Sequence, residues 1–360
     1  MCRWFAYVGD ESTLLEDVLI NPSHSIVRQI DSHFFPQFHK TYAPHVQNNS
    51  STSDVHVQSD TMDQILQASD APGQANLFTN VDGFGVAYYT STQSQFNSGG
   101  KSDSARPCTY KNTRPALNDL NFRSLCAHTQ TQALFAHIRA APGLTPVVET
   151  NNHPFVFGRY AFMHNGCVAS FEGIRVKLLQ KLSEKARRNV LGTTDSEHAA
   201  ALFFTLLGDD WECRQPLEKL RDTMRETVKT LLEMIKEVPE ETGAMGAHSS
   251  LNFAVTDGIQ LLALRFSSSP EQEPPSLYYS TKAGITLNRK YPDHPDGKEA
   301  AKAHKQRGLG GNKMPGEHGK HVIVASEPST YKGEEWELVP RDNIVLVDDK
   351  REVKLEPMGL

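Results

Sequence analysis

The chain changes its periodicity twice, and nothing else in it constrains the fold as tightly. Its N-terminal part carries short apolar runs rich in aromatic and β-branched residues: CRWFAYVG (2–9), FGVAYYT (84–90) and ALFAHIR (133–139). Each reads as a buried strand. From Ser170 onward apolar residues recur at helical spacing, in SFEGIRVKLLQKLSEKARR, HAAALFFTLL and the amphipathic stretch 213–238. Strand-like runs then return: LNFAVTD, a turn at Asp257-Gly258, QLLALRFS, SLYYSTKAG, HVIVASEP and NIVLVDD. Strands, then helices, then strands predict an α+β layered fold rather than repeated βαβ units.

Smaller features fill in this frame. LLEDVLI (14–20) predicts a short helix, and YAFMHNGCVAS (160–170) divides into two runs about Asn165-Gly166, a hairpin signal. The stretch from about 94 to 118 is polar and predicts a loop. Residues 44–73 are rich in Ser, Asn, Gln, Thr and Asp and hold no Lys or Arg, which marks a surface insertion. A second insertion, 288–320, is rich in Gly, His and Lys, with eight Lys/Arg against four acids. We take residues 2–360 as one domain interrupted by these two polar insertions.

Composition excludes several classes of function. A formal charge of −6 gives no electrostatic case for nucleic acid or an anionic membrane as partner. No run approaches the ~20 apolar residues that span a bilayer, and the N-terminus lacks the pattern of a secretory leader. Five widely spaced cysteines form neither a disulfide framework nor a zinc ribbon. The expected location is therefore a reduced cytoplasm. His24, His33 and His39 lack metal-ligand spacing, and GLGGNK within 288–320 lacks the G-K-[ST] of a phosphate loop. Neither a metal nor a cofactor is expected.

Cys2, behind the initiator Met1, reads either as a small buried strand residue or as a nucleophile. The second reading needs Met1 removed, which a small second residue permits. Cys2 would then carry its own base, an α-amine with a pKa of about 7.7–8.0. Arg3 would add positive potential favouring thiolate. Asn165 and Gly166 are either a tight turn or an amide and a main-chain N–H able to hold an oxyanion. Arg139 is either a surface ion pair or a bidentate grip on a carboxylate. GTTDSEH (192–198) contains a Thr194-x-x-Glu197 capping box with Asp195 in the first turn. That aspartate either serves the helix dipole or faces a substrate ammonium.

The order of these motifs is distinctive: Cys2, DGFGVAYY (82–89), HIRAA (137–141), NNHPF (151–155), HNG (164–166), TTDSEH (193–198), LNFAVTDG (251–258) and VASEP (324–328). It resembles the class II glutamine amidotransferase family, whose glutaminase domain is an N-terminal-nucleophile hydrolase. The resemblance implies a four-layer αββα sandwich. It also implies Cys2 as nucleophile, Asn165 and Gly166 as oxyanion hole, Arg139 as the site for the substrate α-carboxylate and Asp195 for its α-ammonium. His153 of NNHPF is expected to orient its loop rather than to transfer protons.

Within the family, MCRWFAYVG, LLEDVLI and HPFVFGRYAFMHNG most closely resemble the fungal glutathione-degradation subunits of the DUG system, then the bacterial hydrolase of ergothioneine synthesis. Strands near the C-terminus complete the expected sandwich and leave no second domain to receive ammonia. The resemblance thus implies hydrolysis of a γ-glutamyl amide, glutathione to glutamate and cysteinylglycine, beside a metallopeptidase-like partner subunit. Two other readings stand: a glutaminase passing ammonia from glutamine to a separate synthase, and a non-catalytic regulatory subunit.

Overall fold

The opening run forms β1 (Arg3–Leu14), and both faces of its first seven residues are buried. That is what a strand between two layers requires. The computed structural model describes residues 2–22, 24–29, 80–92, 96, 105–141, 145–238, 248–291, 313–330 and 332–360. After β1 come α1 (Leu15–Leu19), β2 (Phe84–Thr90), β3 (Arg106–Asn112), α2 (Leu120–His128) and β4 (Gln130–Ile138). The middle of the chain supplies β5 (Phe155–Phe157), β6 (Tyr160–Cys167), α3 (Phe171–Lys181), α4 (Glu184–Asn189), α5 (Asp195–Leu207) and α6 (Leu217–Lys236). The remainder is β7 (Ser250–Thr256), β8 (Leu261–Arg265), β9 (Tyr278–Ser280), β10 (His321–Ala325), β11 (Glu337–Leu338), β12 (Asn343–Val347) and β13 (Val353–Pro357).

These strands make two antiparallel sheets, ordered β11-β9-β10-β1-β4-β2-β3 and β13-β12-β8-β7-β6-β5. Alternation along β1 shows why they stack. Trp4, Ala6 and Val8 face Ala161 and Met163 of β6, Ala254 of β7, Ala263 of β8 and Val345 of β12. Phe5 and Tyr7 point the other way, onto α1 and onto Phe122 and Cys126 of α2. The far face of the second sheet buries Phe157, Phe162, Phe253 and Leu264 against α3, α4, α5 and α6. The result is the expected four-layer αββα sandwich.

Three local expectations need correction. Asn165-Gly166 is not a hairpin turn: β6 runs straight through it, pairing Asn165 with Asn252 and Gly166 with Leu251. Pairing along the whole of β7 overrides a two-residue turn propensity, and the reversal falls earlier, at Gly158-Arg159 between β5 and β6. The polar stretch 94–118 contains β3, an edge strand whose half-exposed residues show no apolar alternation. The helical stretch after Ser170 breaks at Leu182, where Ser183 accepts the Ala186 N–H and starts α4. The 44–73 insertion lies outside the described residues, as do 292–312 of the second. The flanks of the latter are tied down: Arg289 pairs with Glu16 and Asp17, while Tyr291 and Lys313 both bond Glu11.

Candidate active site

Strand register carries three segments to one rim. Arg3 pairs with Ile138, and Ile138 with Phe84, so Cys2, Arg139 and Gly83 lie at neighbouring strand ends. Arg139 N–H donates to Gly83 O at 2.9 Å, and Asp82 N–H to Arg139 O at 3.1 Å. The Asp82 carboxylate accepts from Ala141 N–H at 2.8 Å. Between those two clamped residues, Ala140 N–H donates to Cys2 Sγ at 3.4 Å, and the thiol lies 3.6 Å from Ala140 O. The half-buried Cys2 is therefore held at the rim rather than packed into the core.

The residue after it corrects an expectation. Arg3 is not aimed at the thiol: its Nε bonds Glu327 at 2.7 Å, the other oxygen of Glu327 bonds His24 at 3.1 Å, and Arg3 Nη1 donates to Cys2 O at 3.1 Å. A buried carboxylate is the better partner for a buried guanidinium. Trp4 N–H donates to Ser326 Oγ at 3.0 Å and Ser326 N–H to Trp4 O at 2.9 Å, which completes the mooring of the strand start.

Arg139 is 3% exposed, yet among the described residues it makes a single side-chain hydrogen bond, Nη1 to Pro146 O at 3.0 Å. Its Nη2 is buried and has no hydrogen-bond partner among the described residues. Burial lowers its pKa, while Cys2, Asp82 and Asp195 act to raise it, so all three stand within its electrostatic reach. Beside it, His137 Nε2 bonds His164 O at 3.1 Å and joins the two sheets. Burial depresses the pKa of His137 to about 3 and that of His153 far below its usual value. The His153 ring stacks on His137 at 4.0 Å and lies tilted against Phe155 at 4.5 Å, with its carbonyl against Gly85. Neither of its ring nitrogens has a hydrogen-bond partner among the described residues.

Asn165 is 1% exposed, and neither its amide oxygen nor its amide nitrogen finds a partner among the described residues. Such a group in a buried strand costs about 1–3 kcal/mol and calls for an explanation beyond packing. Gly166 has φ +144°, and a Cβ there would sit 1.8 Å from Ser250 O, so only glycine fits.

Asp195 opens α5, capped by the Thr194 hydroxyl, which accepts the Glu197 N–H at 3.2 Å. The reciprocal half of the expected capping box is absent. The Glu197 carboxylate instead takes the N–H groups of Leu191 and Gly192 at 3.0 and 2.6 Å, two nearby donors in place of one. Asp195 Oδ2 accepts from Val168 N–H at 2.8 Å and Oδ1 from Ser196 N–H at 2.7 Å. The single Ser196 hydroxyl proton can serve His164 Nδ1, 2.8 Å away, or Asp195 Oδ1, 3.1 Å away. Burial pushes the His164 pKa down, against the pull of Asp195. A neutral His164 that donates from Nε2 to Ser250 O must accept at Nδ1. The Ser196 proton then goes to His164, and Asp195 keeps open lone pairs for a cation.

The rim thus brings together a thiol, a buried guanidinium with a free arm, and a carboxylate with open lone pairs. Beside His164 on the adjoining strand stands an unpartnered amide. Those groups suit attack on an amide carbonyl of a substrate with an amino-acid head. Sequence reasoning named no role for Asp82, Glu327 or Asn151. All three lie in quoted motifs, DGFG, VASEP and NNHPF, but their partners are distant in the chain. Among the described residues no three His, Cys, Asp or Glu side chains form a metal-binding group, and His33 and His39 fall outside them. No helix among them is long and apolar enough to cross a membrane.

The family described as glutamine amidotransferases class-II matches residues 68–356. The probable glutamine amidotransferase DUG3 of Saccharomyces cerevisiae is 28% identical over 365 residues, covering 99% of this chain and 84% of the yeast protein. Among solved structures, a glutamine aminotransferase class-II domain protein from Silicibacter pomeroyi is 19% identical. It superposes with a TM-score of 0.52, covering 100% of both chains, and so shares the fold. A predicted glutamine amidotransferase from Pseudomonas aeruginosa is 18% identical with a TM-score of 0.41, covering 76% of this chain and 86% of that one.

Proposed function

The chain belongs to the class-II glutamine amidotransferases, and from that premise we propose a cysteine-dependent hydrolase of γ-glutamyl amide bonds acting on glutathione. The observations that support the proposal are two buried groups without hydrogen-bond partners among the described residues, Arg139 Nη2 within electrostatic reach of Cys2 and the Asn165 amide next to His164, whose carbonyl accepts from His137 of the Cys2 sheet. With Met1 removed, the Cys2 amine takes the thiol proton and Sγ attacks the γ-carbonyl carbon. Asn165 Nδ2 and the Gly166 N–H hold the oxyanion. The C–N bond breaks, the protonated α-amine returns its proton to the leaving amine, and a γ-glutamyl thioester remains on Cys2. Water, deprotonated by the same amine, then hydrolyses the thioester to glutamate and restores the thiol.

Arg139 and Asp195 would bind the α-carboxylate and α-ammonium, which glutamine and glutathione share. The choice of glutathione rests on the resemblance to the fungal glutathione-degrading subunits, and the same resemblance supports a metallopeptidase-like partner chain that consumes the released dipeptide. The test is a product assay with each substrate, the partner present and absent. Cysteinylglycine released faster than ammonia supports the proposal. Faster ammonia release from glutamine supports a glutaminase, and no product under either condition supports a regulatory subunit.

A further inference from the structure

We infer that Asn151 is a positioning residue that sets the distance between the two anchors of the substrate's amino-acid head. The inference rests on the reading of Arg139 and Asp195 as those anchors. Glutamate carries its α-carboxylate and α-ammonium on one carbon, so the two binding groups must stand at one separation to be used together. In this fold they come from different layers: Arg139 follows a strand of the first sheet, and Asp195 begins a helix outside the second. Strand pairing alone does not fix their spacing.

Asn151 bonds to both sides. Its Nδ2 donates to Pro146 O at 3.0 Å, the same carbonyl that accepts Arg139 Nη1. Its Oδ1 accepts from Thr193 N–H at 2.8 Å, and Nδ2 also reaches Thr193 Oγ1 at 3.2 Å. Thr193 directly precedes the Thr194 cap and Asp195. One fully buried amide thus spans from the carbonyl that steadies the guanidinium to the backbone that launches the carboxylate. The packing leaves it no slack, since a Cβ on Gly192 would meet Asn151 Oδ1 at 2.3 Å and Thr150 O at 2.8 Å. The Glu197 carboxylate closes the same turn from beneath through Leu191 and Gly192. Asn151 touches neither anchor's charged end, so it acts on the substrate through their placement.

A spacer has a signature that a general scaffold residue lacks: it matters only to ligands that bridge both anchors. The experiment titrates the whole chain with L-glutamate, glutarate (no ammonium) and γ-aminobutyrate (no α-carboxylate), and reads dissociation constants by NMR. In the wild type, glutamate binds more tightly than either single-anchor ligand. In Asn151→Ala the glutamate dissociation constant rises about tenfold or more, because a misplacement near 1 Å forfeits the bridging advantage, while the other two shift by less than about twofold. Should that variant fail to fold, Asn151→Asp keeps the volume and the acceptor for Thr193 N–H, and replaces the Nδ2 donor to Pro146 O and Thr193 Oγ1 with a carboxylate oxygen. It carries the same expectation. Unchanged glutamate affinity, or equal losses for all three ligands, would overturn the spacer role. A wild type that binds glutamate no better than glutarate or γ-aminobutyrate would refute the anchor assignment itself, and the spacer with it.

Discussion

Arg139 and Arg265 are equally hidden, each 3% exposed, and are used in opposite ways. Arg265, at the end of β8, donates to the carbonyls of Pro275, Val339 and Pro274 and to the Glu273 carboxylate. Its burial is compensated bond by bond, and it staples the loop 266–277 to the strand after it. Among the described residues Arg139 makes one such bond, and its Nη2 has no partner. Two cross-strand asparagines repeat the contrast in part: Asn252 donates to Pro275 O at 2.8 Å, although its Oδ1 has no partner among the described residues, whereas its strand partner Asn165 has none there for either side-chain atom. Burial alone therefore does not separate structural from functional polar groups. Unfilled hydrogen-bond capacity is not the dividing line by itself either, since Trp4 Nε1, Asn80 Oδ1 and both His153 nitrogens also lack partners among the described residues.

Four predictions sharpen or break this contrast. Arg265→Ala should cost about 2–5 kcal/mol of stability, because the carbonyls of Pro274 and Val339 lose their guanidinium donor. Denaturant unfolding measures this, and activity per folded molecule should persist. Asn165→Ala should do the reverse, lowering kcat by about 10²–10³ with KM and unfolding midpoint nearly unchanged. An Asn165 variant as unstable as the Arg265 variant would erase the distinction. Arg139→Lys keeps the charge but loses the planar fork, so kcat/KM for γ-glutamyl substrates should fall by about 1.5–3 kcal/mol, chiefly through KM, without loss of stability.

The smallest effect is in pH. Burial holds His137 near a pKa of about 3 and pushes His153 and His164 down, against about 6.5 in the unfolded chain. The folded protein binds fewer protons, so the stability these rings permit is complete above about pH 6.5 and is lost as pH falls below it. For His137 the loss should be about 1 kcal/mol by pH 6. Melting temperatures between pH 8 and 5 measure it, and His137→Gln should flatten the slope. A melting temperature constant down to pH 5 would contradict the neutral-histidine account of the site floor.

Much of the fold was legible because it rests on local patterning. The two-faced apolar run of β1, the helical spacing of α5 and α6 and the C-terminal strands all declare themselves over a few residues. What was misread depends on partners far along the chain. Asn165-Gly166 has the residues of a turn and becomes strand interior because β7 pairs through it. β3 has no apolar alternation and exists because β2 offers it an edge. The five proposed site residues were legible through the order of family motifs rather than through any one of them. Asn151, Asp82 and Glu327 were not, since their roles reside in single hydrogen bonds to residues 42, 59 and 324 positions away. Thr194-x-x-Glu197 shows the same limit at short range, where a nearby turn claims a carboxylate that the local motif assigns to the cap.

The central claim is that the rim is an empty glutamyl site with Cys2 as its nucleophile. The most direct measurement is an intact mass of the purified protein before and after incubation with a diazo-ketone analogue of glutamine, beside Cys2→Ala. The account predicts a chain lacking Met1 that gains one covalent adduct, absent from the variant and suppressed by excess glutathione. A chain that retains Met1, or an adduct that persists in Cys2→Ala, would contradict it.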